Sequence, residues 1–173
     1  MILKTYEFKS LREVMAKANE EKSGDKLAGI AAEDAQERVA AKVVLSHITL
    51  NEIRNCPAVP YEEDEVTRII QDAVNETIFS QFKNMTVAEF REWLLDEKTD
   101  GAMIRRASRG LTSEIVAAVC KLMSNLDLIY AAKKMRVSAH CNTTIGLPGT
   151  FSSRLQPNHT TDDPKGIIAS VME

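Results

Sequence analysis

The stretch NTTIGLPGTFSSRLQPN, Asn142 to Asn158, differs in kind from the chain before it. β-Branched, aromatic and small residues gather around Gly146, Pro148 and Gly149, a composition that suits an extended strand beside a turn and not a helix. On an extended chain successive side chains alternate between faces, so Arg154 and Gln156 share one face and Leu155 takes the other. The next segment, TDDPKGIIASVME, offers Asp162 or Asp163 as an N-cap and Pro164 at the first helical position. Ile167, Ile168 and Val171 follow at helical spacing. Strand and helix together make one β-α unit, with the two polar side chains near the carboxyl end of its strand.

Upstream of this unit the chain is written in helices. Ser10 with Glu13, Thr49 with Glu52 and Thr86 with Glu89 have capping-box spacing, and each precedes apolar residues at helical intervals. A brief helical turn near Gly24 leads to an Ala-rich helix through about Leu45. In VTRIIQDAVNETIFSQFKN, the residues Val66, Ile69, Ile70, Ala73 and Val74 form an apolar stripe expected to face the core. The acids Glu62 to Glu65 before it complement a helix dipole. Trp93 is expected to anchor the core. LTSEIVAAVCKLMSNLDLIYAAKKM divides at Ser124 or Asn125 into two helices, the first capped near Thr112. TDGAMIRRASRG reads as a loop in which Arg105, Arg106 and Arg109 are ion-pair partners or a subunit contact.

Composition narrows the function classes. The chain has 173 residues, 44% hydrophobic and 27% charged, a globular balance, and its formal net charge of -3 gives no general attraction for nucleic acid or anionic membrane. No segment approaches the roughly 20 apolar residues needed to span a bilayer, and the N-terminus is charged too early for a signal peptide. Cys56, Cys120 and Cys141 are odd in number and widely spaced, which suits reduced, mostly buried thiols. His140, Cys141 and His159 make a poor metal set, because neighbours on an extended chain point apart. The N-x-T sequons at Asn75, Asn84, Asn142 and Asn158 are expected to be chance or helix caps.

Arg154 supplies a fixed fork of donors and Gln156 both donors and an acceptor, a pair able to orient a small polar molecule. Equally, Arg154 could pair with Asp162 or Asp163 across the loop, leaving Gln156 solvated. Periodicity alone leaves both readings open.

The chain resembles the N-terminal part of the large (heavy) subunit of the ethanolamine ammonia-lyase family. SGDKLAGIAAEDAQERVAAKVVLS, DEVTRIIQDAVNET, RGLTSEIVAAVCKLMSNLDLIYAAKKM and above all NTTIGLPGTFSSRLQPN carry the resemblance, and KTDGAMIRRAS and RVSAHC are its weaker regions. The resemblance implies a mainly α chain. A helical N-terminal region, residues 1–139, would precede the first β-α unit of a TIM (β/α)8 barrel, residues 140–173. TFSSRLQPN would be that barrel's first strand, with Arg154 on the substrate hydroxyl and Gln156 on its amino group. A complete barrel takes roughly 250 residues, so the later strands would lie beyond residue 173, with the remaining substrate contacts and most of the cobalamin surface.

By the same resemblance the substrate is ethanolamine, converted to acetaldehyde and ammonia by a radical rearrangement that the cofactor adenosylcobalamin supplies. The implied partners are the lyase small subunit and further large subunits in a homo-oligomer. The implied location is the cytoplasm, free or inside a bacterial microcompartment. The chain alone is expected to be inactive. A reading of another class is a non-enzymatic helical assembly module that binds the small subunit or itself.

Overall fold

A computed structural model describes residues 6–135, 137–140, 144–151 and 163–172. The chain divides into two compact units, Met1–Met135 and Arg136–Glu173.

The described part of the first unit is a set of short helices. They are α1 (Leu11–Lys17), α2 (Ser23–Leu27), α3 (Ala35–His47), α4 (Leu50–Arg54), α5 (Glu65–Asp72), α6 (Glu76–Phe82), α7 (Val87–Leu95), α8 (Gly101–Ser108), α9 (Ser113–Lys121) and α10 (Asn125–Lys134). Helices this short are marginal alone in water, so their ends and their packing must hold them. Every one except α2 has a side-chain oxygen accepting from a first-turn N–H. Thr49–Glu52 and Thr86–Glu89 close complete capping boxes, as their spacing predicts, and Ser124–Asp127 forms another. At α1 the arrangement is displaced. Ser10 caps Glu13, but the Glu13 carboxylate accepts from the Lys9 N–H at 2.7 Å, one residue before the expected partner.

Two of these caps lie side by side. The Leu50 N–H donates to the Met85 carbonyl and the Val87 N–H to the Ile48 carbonyl, both at 2.9 Å, so the starts of α4 and α7 satisfy each other's first-turn donors. Beneath them sits the core. Leu45 of α3, Leu50 and Ile53 of α4, Val87 and Phe90 of α7, and Ile115, Ala118 and Val119 of α9 are buried in one cluster. Trp93 packs against it half-buried, its ring 5.1 Å from both Phe82 and Phe90, consistent with its expected role as an anchor.

Three expectations for this unit are corrected. The stripe is split: Val74 is buried in the core, whereas Val66 and Ile69 of α5 are each 61% exposed. The inner side of α5 instead carries buried Thr67 and also Gln71, which accepts from Arg54 Nε and donates to the Arg54 carbonyl at the end of α4. Asn75 then caps a new helix, α6, and Ile78 and Phe79 of α6 take the buried positions. The supposed loop at TDGAMIRRAS is α8, capped by Asp100 and burying Ile104 and Ala107, so Arg105 and Arg106 lie on a helix and Arg109 at its end. Among the described residues neither Arg106 nor Arg109 makes an ion pair. Cys56 and Cys120 are exposed, not buried.

Two glycines set close approaches. A Cβ on Gly101 would lie 2.2 Å from the Lys134 carbonyl oxygen, so only glycine lets α8 begin against the end of α10. A Cβ on Gly110 would lie 2.8 Å from the Phe79 nitrogen, where the turn after α8 crosses α6.

The second unit contains β1 (Ala139–His140), β2 (Thr144–Ile145) and α11 (Pro164–Met172). β1 and β2 pair antiparallel, Ala139 with Ile145 and His140 with Thr144, so Thr144 and Ile145 of NTTIGLPG belong to a two-stranded sheet and not to a lone strand. Leu147–Thr150 is a type II turn. The Thr150 N–H reaches the Leu147 carbonyl at 3.2 Å, with Pro148 second and Gly149 third at φ 75°. α11 begins at Pro164 as expected, and Asp163 accepts from the Lys165 N–H at 3.0 Å. The expected barrel strand, apart from Thr150 and an exposed Phe151, lies outside the described residues.

Candidate functional site

Arg154 and Gln156, the residues singled out for substrate, lie outside the described residues, as do Cys141, His159 and Asp162. Their described flanks are the type II turn before and α11 after. His140 is described. Its Nδ1 lies 2.6 Å from Thr144 Oγ1, a contact between the paired strands. No cluster among the described residues gathers three or more His, Cys, Asp or Glu side chains that could hold a metal ion.

Two of the clefts in the helical unit that carry charged side chains bear on a ligand site. The first, about 480 Å³, is lined by Arg54, Cys56, Pro57, Pro60, Tyr61 and Gln71 among others. Arg54 is occupied there: it donates to both oxygens of Glu76 and to Gln71, and its guanidinium lies 4.5 Å above the Phe79 ring. The hydrogen bonds that Arg54 donates to Glu76 raise the Arg54 pKa and lower the Glu76 pKa. An arginine so engaged ties α4 to α6 and leaves little to offer a ligand.

The second cleft, about 830 Å³, lies among the end of α1, α3, α9 and the start of α10. Lys22, Lys42 and Lys121 line it with Asn19, Glu20, Ser124 and Asn125, over an apolar wall that includes Ala117, Met123 and Leu128. Lys121, at the end of α9, is partly buried, and its ammonium donates to the Asn19 side-chain oxygen. Burial, and after it the fields of Lys22 and Lys42, hold its pKa below the usual lysine range. Glu20 accepts from Lys42 at 2.9 Å and sits 3.6 Å from Arg38, and the Lys42 bond keeps its carboxyl below the ordinary range. This cluster was missed in the sequence because its members come from three separated segments. The one local trace was Lys42, a single charge between Ala41 and Val43.

The profile of the family described as "Ethanolamine ammonia lyase large subunit (EutB)" matches residues 6–173. The chain belongs to this family. Over 168 residues, 97% of the chain, it is 58% identical to the ethanolamine ammonia-lyase large subunit of Escherichia coli K12 and 57% identical to that of Salmonella typhimurium LT2. It spans 37% of the length of these relatives. The match to the ethanolamine ammonia-lyase large subunit includes both units and the segment that holds Arg154 and Gln156. No helix among the described residues is long and apolar enough to cross a membrane.

Proposed function

We propose that this chain is the N-terminal portion of an ethanolamine ammonia-lyase, and that Arg154 and Gln156 form one wall of its substrate pocket. The observation that carries the reading is the family match through residue 173, which spans the Arg154–Gln156 stretch, with 58% identity to a large subunit. Arg154 would hold the substrate oxygen with directed, charge-assisted hydrogen bonds, and Gln156 would receive the amino group at its side-chain oxygen. Leu155, on the opposite face, would pack into the layer behind the strand of a TIM barrel. The enzyme would work with a small subunit and with further large subunits, in the cytoplasm or inside a microcompartment.

The family's cofactor, adenosylcobalamin, supplies radical chemistry when bound, but the described residues do not fit it. The two clefts described above carry charged side chains at their linings, and the apolar wall of the larger one, Ala117, Met123 and Leu128, is too small to cover the face of a corrin ring. We assign no residue of this chain to the cofactor and no step through it.

The test is made in the full-length large subunit assembled with its partner. Arg154→Ala leaves the substrate oxygen without its partner, a loss on the order of 2 to 4 kcal/mol in the transition state, or roughly a 30- to 1000-fold fall in kcat/KM. Arg154→Lys recovers part of it, because the charge remains but the planar fork does not. Leu155→Ala lowers thermal stability with a smaller effect on KM. Near-normal turnover in Arg154→Ala, with substrate binding lost in a folded Leu155→Ala, would reverse the faces and remove the proposed site.

A further inference from the structure

We infer that the cleft between α1, α3, α9 and α10 is a binding site for a small organic phosphate, held by Lys22 and Lys121 with its organic part on the wall of Ala117, Met123 and Leu128.

The charge inventory comes first. Lys22, Lys42 and Lys121 line the cleft with Glu20, Arg38 reaches Glu20 from outside it, and Asp25 acts on Lys121. Glu20 is shared by Lys42 and Arg38. Neither Lys22 nor Lys121 has a carboxylate within ion-pair distance, and the hydrogen-bond partner of Lys121 is the neutral Asn19. The local excess is thus two positive charges, which matches a phosphate monoester dianion better than a single carboxylate.

Burial makes the arrangement costly unless it is answered. A partly buried ammonium without a counter-charge is disfavoured by desolvation, and two more ammoniums facing the same cleft add repulsion. Both effects act on Lys121, and the field of Asp25 offsets them only in part. A dianion placed among these lysines removes the repulsion and restores the lost ion–dipole partners, with charge-assisted hydrogen bonds available from each ammonium. Asn125 and Ser124 at the rim add polar side chains that can reach a phosphate ester oxygen.

The apolar wall decides between free phosphate and a phosphate carried on an organic group. Ala117, Met123 and Leu128 line the same cleft as the lysines, and a site for inorganic phosphate alone has no use for them. This inference stands on the cleft alone and is independent of the lyase reading.

The experiment uses the full-length large subunit, titrated with inorganic phosphate and with phenyl phosphate at constant ionic strength. Binding is followed by calorimetry and by the side-chain NMR signal of Lys121. Phenyl phosphate should bind saturably and more tightly than inorganic phosphate, and the Lys121 amine should titrate at higher pH in its presence. Lys121→Gln and, separately, the more peripheral Lys22→Gln should each weaken binding about tenfold or more. Lys121→Arg should retain most of it, and Lys98→Gln, on a different surface, should leave it unchanged. Equal affinity for the two probes would overturn the organic-phosphate assignment. Absent saturation, or equal weakening by Lys98→Gln and Lys121→Gln, would overturn the site.

Discussion

Helices α9 and α5 are written in the same sequence grammar and lie opposite ways in the fold. Both start from a capping residue, Thr112 and Asp64, and both carry branched apolar residues at helical spacing. Yet α9 buries Ile115, Ala118 and Val119, whereas α5 buries Thr67 and turns Val66 and Ile69 to solvent. The difference lies in what each helix meets. α9 packs against α4 and α7, whose inner faces are Leu50, Ile53, Val87 and Phe90. α5 meets the end of α4, where the Arg54 guanidinium and carbonyl both need hydrogen-bond partners, and Gln71 supplies them. An amphipathic period identifies a face; the neighbour determines whether that face is the one buried.

The comparison breaks most readily at its buried end. Ile115 is fully buried, so Ile115→Ala should cost about 2 to 5 kcal/mol, combining lost transfer energy with a cavity the surrounding helices cannot fill. Chemical denaturation with a fitted midpoint and slope measures it. A loss below about 1 kcal/mol would mean that α9 is no more committed to the core than α5.

Helix caps form the middle rank, and they were the most legible feature of the sequence because they are local. Thr86 accepts from the Glu89 N–H at 3.2 Å while Glu89 accepts from the Thr86 N–H at 2.8 Å. Thr86→Ala should therefore cost about 1 kcal/mol by removing the hydroxyl half of the box. Glu89→Ala should cost a similar or smaller amount, and the double variant should cost less than the sum, because either change already opens the box. Strict additivity in that cycle would show that the box does not act as a unit.

What the sequence concealed has equally particular causes. α8 was hidden because Gly101, a poor helix former, opens it, and because adjacent arginines blur a period carried only by Ile104 and Ala107. The reason for Gly101 is three-dimensional: the Lys134 carbonyl occupies the space of its Cβ. The β1–β2 pair escaped notice because two-residue strands carry no alternation to read. The pairing of Arg154 with Gln156 rests on strand alternation alone and falls outside the described residues, whereas the start of α11 at Pro164 was legible because its signals are local. The lysine cleft was not, since Asn19 and Lys121 meet across 102 positions of sequence, and no local pattern encodes such a contact.

The smallest expected effect tests the exposed end of the comparison. Ile69 is 61% exposed, so replacing it removes little burial, and glutamine is at least as good a helix former as isoleucine at a solvent-facing site. Ile69→Gln should leave the denaturation midpoint within about 0.5 kcal/mol of the parent, on either side. Thr67→Val, one turn face away, is the control. Thr67 Oγ1 donates to the Asp64 cap at 2.9 Å from a buried position, so losing that hydroxyl should cost about 0.5 to 1.5 kcal/mol despite the gain in hydrophobicity. The two substitutions thus set polarity against intuition on one helix: making the outer face more polar is tolerated, and making the inner face more apolar is not. If Ile69→Gln proved the costlier change, the stripe of α5 would be buried in solution, and the orientation that separates α5 from α9 would be wrong.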